Sequence, residues 1–184
     1  PRLADTQLEA DIDSLRLLAS ADTPLQVGFD FSDLSIDNDQ LSAGPLAGTY
    51  YQNEGHHELA MRNAGGTLSI KHYLRGALAI DDLDGVLSWR RSGDGWQIDA
   101  RRLRLATGEA SVQARGHLQL PASGAPVVDL HASAQAPDVV RLLQRIPQAA
   151  NLPNERLRDW LAKAIEAGHL ESAELDLAGP LDRF

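Results

Sequence analysis

The chain has 184 residues, of which 43% are hydrophobic and 23% charged, enough for one domain with a core. Its formal net charge is −9, and its densest basic cluster, Arg101, Arg102 and Arg104, is flanked by acidic residues, which argues against a phosphate-binding groove and against nucleic acid as partner. There is no cysteine, so disulfides and Cys-ligated zinc are excluded, and no apolar run approaches the roughly 18 residues that span a bilayer.

Period-two alternation dominates the first two-thirds. It runs through Leu8, Ala10 and Ile12, then Leu25, Val27, Phe29 and Phe31, then Leu59 and Met61, and Leu68 and Ile70. It continues through Leu87 and Trp89, Trp96 and Ile98, Val112 and Ala114, Leu118 and Leu120, and Val128 and Leu130. Such alternation marks half-buried antiparallel strands with one apolar face. Turn signals stand at Asp22-Thr23-Pro24, Gly44-Pro45, Asn53-Glu54-Gly55, Ala64-Gly65-Gly66, Asp84-Gly85, Gly93-Asp94-Gly95 and Ala122-Ser123-Gly124. The spacing predicts an antiparallel meander of roughly ten strands over residues 1–134.

The hairpin from Leu87 to Ile98 is the sharpest local signal. Gly93-Asp94-Gly95 supplies the positive-φ positions of a tight turn. If Arg91 pairs with Trp96, then Trp89 faces Ile98, and Leu87, Trp89, Trp96 and Ile98 share one face.

Three stretches change parity partway along. In Ile12 to Leu17, in Phe29 to Ile36 and in Ile98 to Leu105 the apolar positions move from one parity to the other. A β-bulge produces such a change and curls a sheet; a strand end produces it too, and the pattern alone leaves both open.

The last third differs. Pro137-Asp138 opens a short helical pattern that Pro147 ends. A second helix is predicted from about Asn154 to Ala167, with Leu157, Trp160, Leu161, Ala164 and Ile165 on the stripe that would pack on the sheet. Asn154 suits its N-cap and Gly168 its C-terminus. The two helices fill residues 135–168, and a final strand with Ala173, Leu175 and Leu177 on one face occupies residues 169–184. The start at Pro1 and the stop after Gly179-Pro180-Leu181 suggest one segment of a longer protein.

Chemistry has little support. His56 and His57 are adjacent and point to opposite faces of a strand, while His72, His117, His131 and His169 are scattered, so no metal site is expected. Asp81-Asp82-Leu83-Asp84 lacks the alternating oxygens of a calcium loop and reads as a turn between strands. No nucleophile elbow and no phosphate-cradling glycine loop occurs, so no catalytic residue, no cofactor and no enzyme activity is expected. Trp89, Trp96 and Trp160 fit either a core or the wall of an apolar groove, and periodicity alone favours the core.

The ordered motifs resemble a known family. Leu83-Asp84-Gly85-Val86-Leu87-Ser88-Trp89, Gly93-Asp94-Gly95-Trp96 and Leu103-Arg104-Leu105 resemble a recurrent block of the AsmA-like YhdP family of Gram-negative envelope proteins. Pro153, Leu157, Asp159-Trp160-Leu161, Ala164, Gly168 and Leu175 to Phe184 resemble that family's helix-then-strand block. Gly48-Thr49, Gly66-Thr67-Leu68 and Leu74-Arg75-Gly76-Ala77-Leu78 fit in order upstream, so the resemblance spans about residues 28–184.

The resemblance implies a mainly β fold, a curled gutter-like sheet with two short helices, within a long periplasmic protein anchored in the inner membrane outside this segment. It implies phospholipid acyl chains and neighbouring segments of the same protein as partners, and transport between the inner and outer membranes through an apolar β-groove. On that reading the groove residues are Leu68, Ile70, Leu87, Trp89, Trp96, Ile98, Leu103 and Leu105. The alternative is a structural or interaction module of the envelope that binds no lipid, its sheet closed by the two helices.

Overall fold

The computed structural model describes residues 6–21, 23–39, 41–63, 65–71, 76–138, 140–141 and 168–183. Eleven strands form among them: β1 (Gln7–Ser20), β2 (Thr23–Asp37), β3 (Leu41–Asn53), β4 (His56–Asn63), β5 (Gly66–Ile70), β6 (Leu78–Ile80), β7 (Asp82–Ser92), β8 (Gly95–Ala106), β9 (Ser111–Leu120), β10 (Val127–Ala136) and β11 (Leu170–Pro180). A 3-10 turn at Leu181–Arg183 follows. All join one antiparallel sheet in the order β1-β2-β3-β4-β7-β8-β9-β10-β11, with β5 paired to β3 and to β6 off this path. β1 and β11 do not pair with each other, so the curled sheet stays open. Both expected helices fall almost entirely outside the described residues. Of the first, Val140 and Arg141 are helical, and Arg141 N–H donates to Asp138 Oδ1 at 3.0 Å, as at an N-cap.

The parity changes are bulges. β1, β2 and β8 each run without a break through the stretch where parity shifts. The β1–β2 register slips between Ile12 and Ser14, β2–β3 between Phe31 and Leu34, and β8–β9 between Ala100 and Leu103. Asp33 takes φ 52°, the left-handed conformation that a short polar side chain tolerates at a bulge. Each extra residue returns the next apolar side chain to the same face. Ile98 and Leu103 therefore lie on one side of the sheet despite their opposite parity.

Two glycine signals read as turns lie inside strands. Gly44, with φ 145°, sits in β3 where that strand leaves β4 as partner and takes up β5. Gly85 sits in β7 directly opposite Leu103. A Cβ there would stand 2.5 Å from Leu103 Cδ2 and 2.8 Å from the Arg102 carbonyl oxygen, so glycine provides the seat on which Leu103 lies. The acidic run is not a turn either: only Asp81 is outside β7, and Asp82 and Asp84 are strand residues. Two turns carried no recognised signal. Asn38 Oδ1 accepts from Leu41 N–H at 2.8 Å between β2 and β3, and Thr107 Oγ1 accepts from Ala110 N–H at 3.0 Å between β8 and β9.

Candidate functional site

Antiparallel partners share a face, so the register identifies what each side of the sheet presents. One row crosses all nine strands of the main path: Leu15, Phe29, Tyr50, Leu59, Leu87, Ala100, Gly116, Leu130 and Leu177. The next row is Ile12, Phe31, Gly48, Met61, Gly85, Leu103, Ala114, Ala132 and Leu175. Neither row contains a charged residue, and the Tyr50 hydroxyl is the sole polar side-chain group in the two. Leu83, Leu105, Val112, Ala134 and Ala173 make a third row across β7 to β11.

Of the expected groove residues, Leu87, Trp89, Trp96, Ile98, Leu103 and Leu105 are thus brought to this one face. Trp89 pairs with Ile98 and Arg91 with Trp96, the register expected for the hairpin. Leu68 and Ile70 occupy β5, opposite Ala43 and Leu41 of β3, and Leu68 also pairs with Leu78. Leu157, Trp160, Leu161, Ala164 and Ile165 lie outside the described residues.

An aromatic chain lines the middle of the face. Phe29 stacks on Tyr50 with centroids 4.8 Å apart, and His57 stacks on Trp89 at 5.3 Å with their planes 3° from parallel. The Tyr50 hydroxyl and His57 Nδ1 are 2.7 Å apart, and burial raises the Tyr50 phenol pKa. His57 also approaches Trp96 at 6.4 Å, and the Arg91 guanidinium lies 5.3 Å from the centre of the Trp96 ring. Sequence reasoning missed Tyr50 and His57. The His56-His57 doublet reads as a metal question, and its aromatic role depends on pairing with a strand 32 positions away.

Much of this face is accessible. Leu15 and Leu17 are 60% and 62% exposed, Leu175 49%, Trp96 38% and Val112 36%. Among the described residues the buried apolar side chains are few: Phe31, Leu46, Leu78, Ile80 and Ala136. Scattered exposed apolar residues are ordinary on a soluble protein; rows of them aligned across strands are not.

The opposite face is mostly polar and internally paired, with Leu18, Tyr51 and Val127 exposed on it. Arg101 meets Glu58, Arg102 meets Asp84 at 3.4 Å and Arg104 meets Asp82 at 3.7 Å. The acidic run thus neutralises the arginine cluster across β7 and β8, and such exposed pairs contribute about 0–1 kcal/mol each. Asp30 accepts from Ser14 at 2.5 Å and from Thr49 at 2.9 Å, which lowers its pKa. His117 Nδ1 stands 2.7 Å from Asp99 Oδ1, and His131 Nδ1 stands 2.7 Å from Asp176 Oδ1. Among the described residues no three His, Asp or Glu side chains converge to hold a metal ion.

The His117 hydrogen bond, helped by Gln97, lowers the Asp99 pKa against the opposing effect of burial. A carboxylate with a depressed folded pKa stabilises fully above its unfolded value, about 3.9, and that contribution is lost as pH falls through the folded value. Chemical denaturation between about pH 2 and pH 5 should show Asp99→Asn removing part of the acid-side loss of stability. An unchanged pH profile would show that the pair contributes nothing.

The family model described as YhdP protein matches residues 1–184, the whole chain. No curated protein and no solved structure matches it.

Proposed function

The chain belongs to the YhdP family, an AsmA-like group of envelope proteins, and on that premise we propose that it is one segment of a periplasmic conduit that moves phospholipid between the inner and outer membranes. The observation that carries this reading is the pair of apolar rows uninterrupted across nine strands. Acyl chains lie on that face as the inner wall of the curl. Neighbouring segments of the same protein extend the wall past β1 and β11, whose edges otherwise offer unpaired backbone groups to any extended chain. The segment performs no catalysis, and the anchor of the full protein lies outside it. Among the described residues no helix is long and apolar enough to cross a membrane.

The energetics suit passage. Each enclosed CH₂ gains about 0.8 kcal/mol, so a chain of a dozen carbons fully buried would be held by on the order of 10 kcal/mol. An open sheet covers an acyl chain on one side and gains only part of that, which lets the lipid move on. The absence of charge along the two central rows leaves no fixed point at which a head group would be trapped.

Site-specific photo-crosslinking tests the assignment of the face. A photoreactive amino acid at Leu105 or Leu118, on the apolar side, should form adducts with radiolabelled phosphatidylethanolamine supplied in vesicles. The same group at Arg115, which pairs with His131 on the polar side, should form almost none. Equal labelling on both faces, or none on either, would favour a spacer module that binds no lipid.

A further inference from the structure

Inside the sheet, carboxylates on the polar face are answered from a neighbouring strand. Arg101 meets Glu58, Arg102 meets Asp84 and Arg104 meets Asp82. His117 bonds to Asp99 and stands opposite Asp129, while Ser14 and Thr49 donate to Asp30. The outermost strand breaks this pattern. On β1, Glu9 lies opposite Ser35 and Asp11 opposite Ser32, and the Ser32 hydroxyl donates to Asp13 instead. Among the described residues neither Glu9 nor Asp11 forms an ion pair or a side-chain hydrogen bond. The missing partners belong on the outer side of β1. We propose that this edge pairs with an extended strand of alternating apolar and basic residues, supplied by a neighbouring segment of the same polypeptide. The proposal rests on the conduit reading above, which continues the wall past β1, and adds the chemistry that selects the strand.

The apolar side of the same edge is equally unfinished. Leu8, Ile12, Leu15 and Leu17 are between 55% and 65% exposed, whereas one strand inward Val27 and Phe29 are half-buried and Phe31 is buried. Ile12 and Leu15 begin the two uninterrupted apolar rows, so a strand added outside β1 continues both. The backbone groups of β1 that point away from β2 supply the ladder for it. Charges and bulges also serve to keep an edge strand from pairing, and the β1 register slips at Ala10 and at Asp13. Protection of that kind turns a charge toward the apolar side; on β1 Glu9 and Asp11 stand on the polar side, and the apolar line from Leu8 to Leu17 carries none. A second copy of this chain is a poor occupant. The other edge, β11, presents Glu174 and Asp176 on the polar face, so joining β1 to the β11 of another copy, or to another β1, sets carboxylates against carboxylates. Arg16, the one cation of β1, already acts on Asp30 of β2.

The test offers the full chain three short synthetic peptides: one alternating valine with lysine, one alternating valine with glutamate, and a scrambled lysine peptide of the same composition without alternation. Backbone hydrogen exchange, read by mass spectrometry, reports which strand each peptide protects. The alternating lysine peptide should slow exchange in β1 and bind about tenfold more tightly than the glutamate peptide, and the scrambled peptide should protect nothing. Glu9→Lys with Asp11→Lys should reverse the preference, a gain that a misfolded variant cannot produce. Protection of β1 by no peptide would overturn edge pairing, and equal binding of the lysine and glutamate peptides would overturn selection by charge. Protection by the scrambled peptide would reduce the effect to net charge and overturn the proposal as well. Protection of β1 that grows with protein concentration alone would assign the edge to a second copy, with the same consequence. Phospholipid uptake by the same sample keeps the two readings apart: uptake without peptide protection overturns the edge proposal and leaves the conduit standing, and absence of uptake overturns the conduit and with it the wall that the added strand extends.

Discussion

A chain carrying Val112→Asp and Leu175→Asp should lose phospholipid binding and keep its fold. Both residues lie on the apolar face, in β9 and β11, and both are substantially exposed, at 36% and 49%. Exposed substitutions outside special sites shift stability by only about 0.5 kcal/mol, so the thermal midpoint should hardly move. A carboxylate beside a lipid chain is another matter. Placing an aspartate in a hydrocarbon environment costs about 3 kcal/mol, which corresponds to roughly a hundredfold loss of affinity for one charge. Gln113→Asp adds the same charge to the same strand but faces the polar side, opposite Arg104, and should leave lipid uptake intact. Equal losses from Gln113→Asp and from the paired variant would mean that net charge, not the identity of the face, governs binding.

The largest expected loss of stability comes from filling a glycine seat. Gly85 is buried opposite Leu103, and a Cβ at that position would meet both the leucine and the Arg102 carbonyl inside contact distance. Gly85→Val must therefore push β8 away at the bulge that restores the apolar parity. Overpacking of this kind costs about 1–3 kcal/mol, so for a chain of this length the thermal midpoint should drop by roughly 3–10 °C. Gly48, on which Phe31 lies with its Cζ 2.8 Å from the position of an added Cβ, should behave in the same way. Gly108, with open space around it, should accept alanine with little change. A circular-dichroism melt of the three variants separates these outcomes. Equal midpoints for Gly85→Val and Gly108→Ala would refute the seat.

The meander was readable in the sequence because a half-buried strand writes its two faces directly into alternate positions. Trp89 opposite Ile98 followed from a turn of known length between two alternating runs. The bulges were half readable: the shift from Ile98 to Leu103 is plain, but a strand end writes the same shift, and only pairing on both sides of β8 distinguishes them. Gly85 was misread because Asp-Gly is a local turn signal, while the reason for that glycine is Leu103, eighteen positions on. The acidic run was misread for the same reason, since Asp82 and Asp84 answer Arg104 and Arg102 across a hairpin. His57 and Tyr50 escaped notice because their neighbours come from three strands. What the local pattern could carry was the face; what it could not carry was which residues meet on it.

The central claim is that the apolar face holds phospholipid. Native mass spectrometry of the delipidated chain after incubation with vesicles of phosphatidylethanolamine and phosphatidylglycerol tests it directly. The unaltered chain should carry adducts with the masses of those diacyl lipids, and the Val112→Asp, Leu175→Asp chain should carry none. Bare protein from both samples would contradict the account.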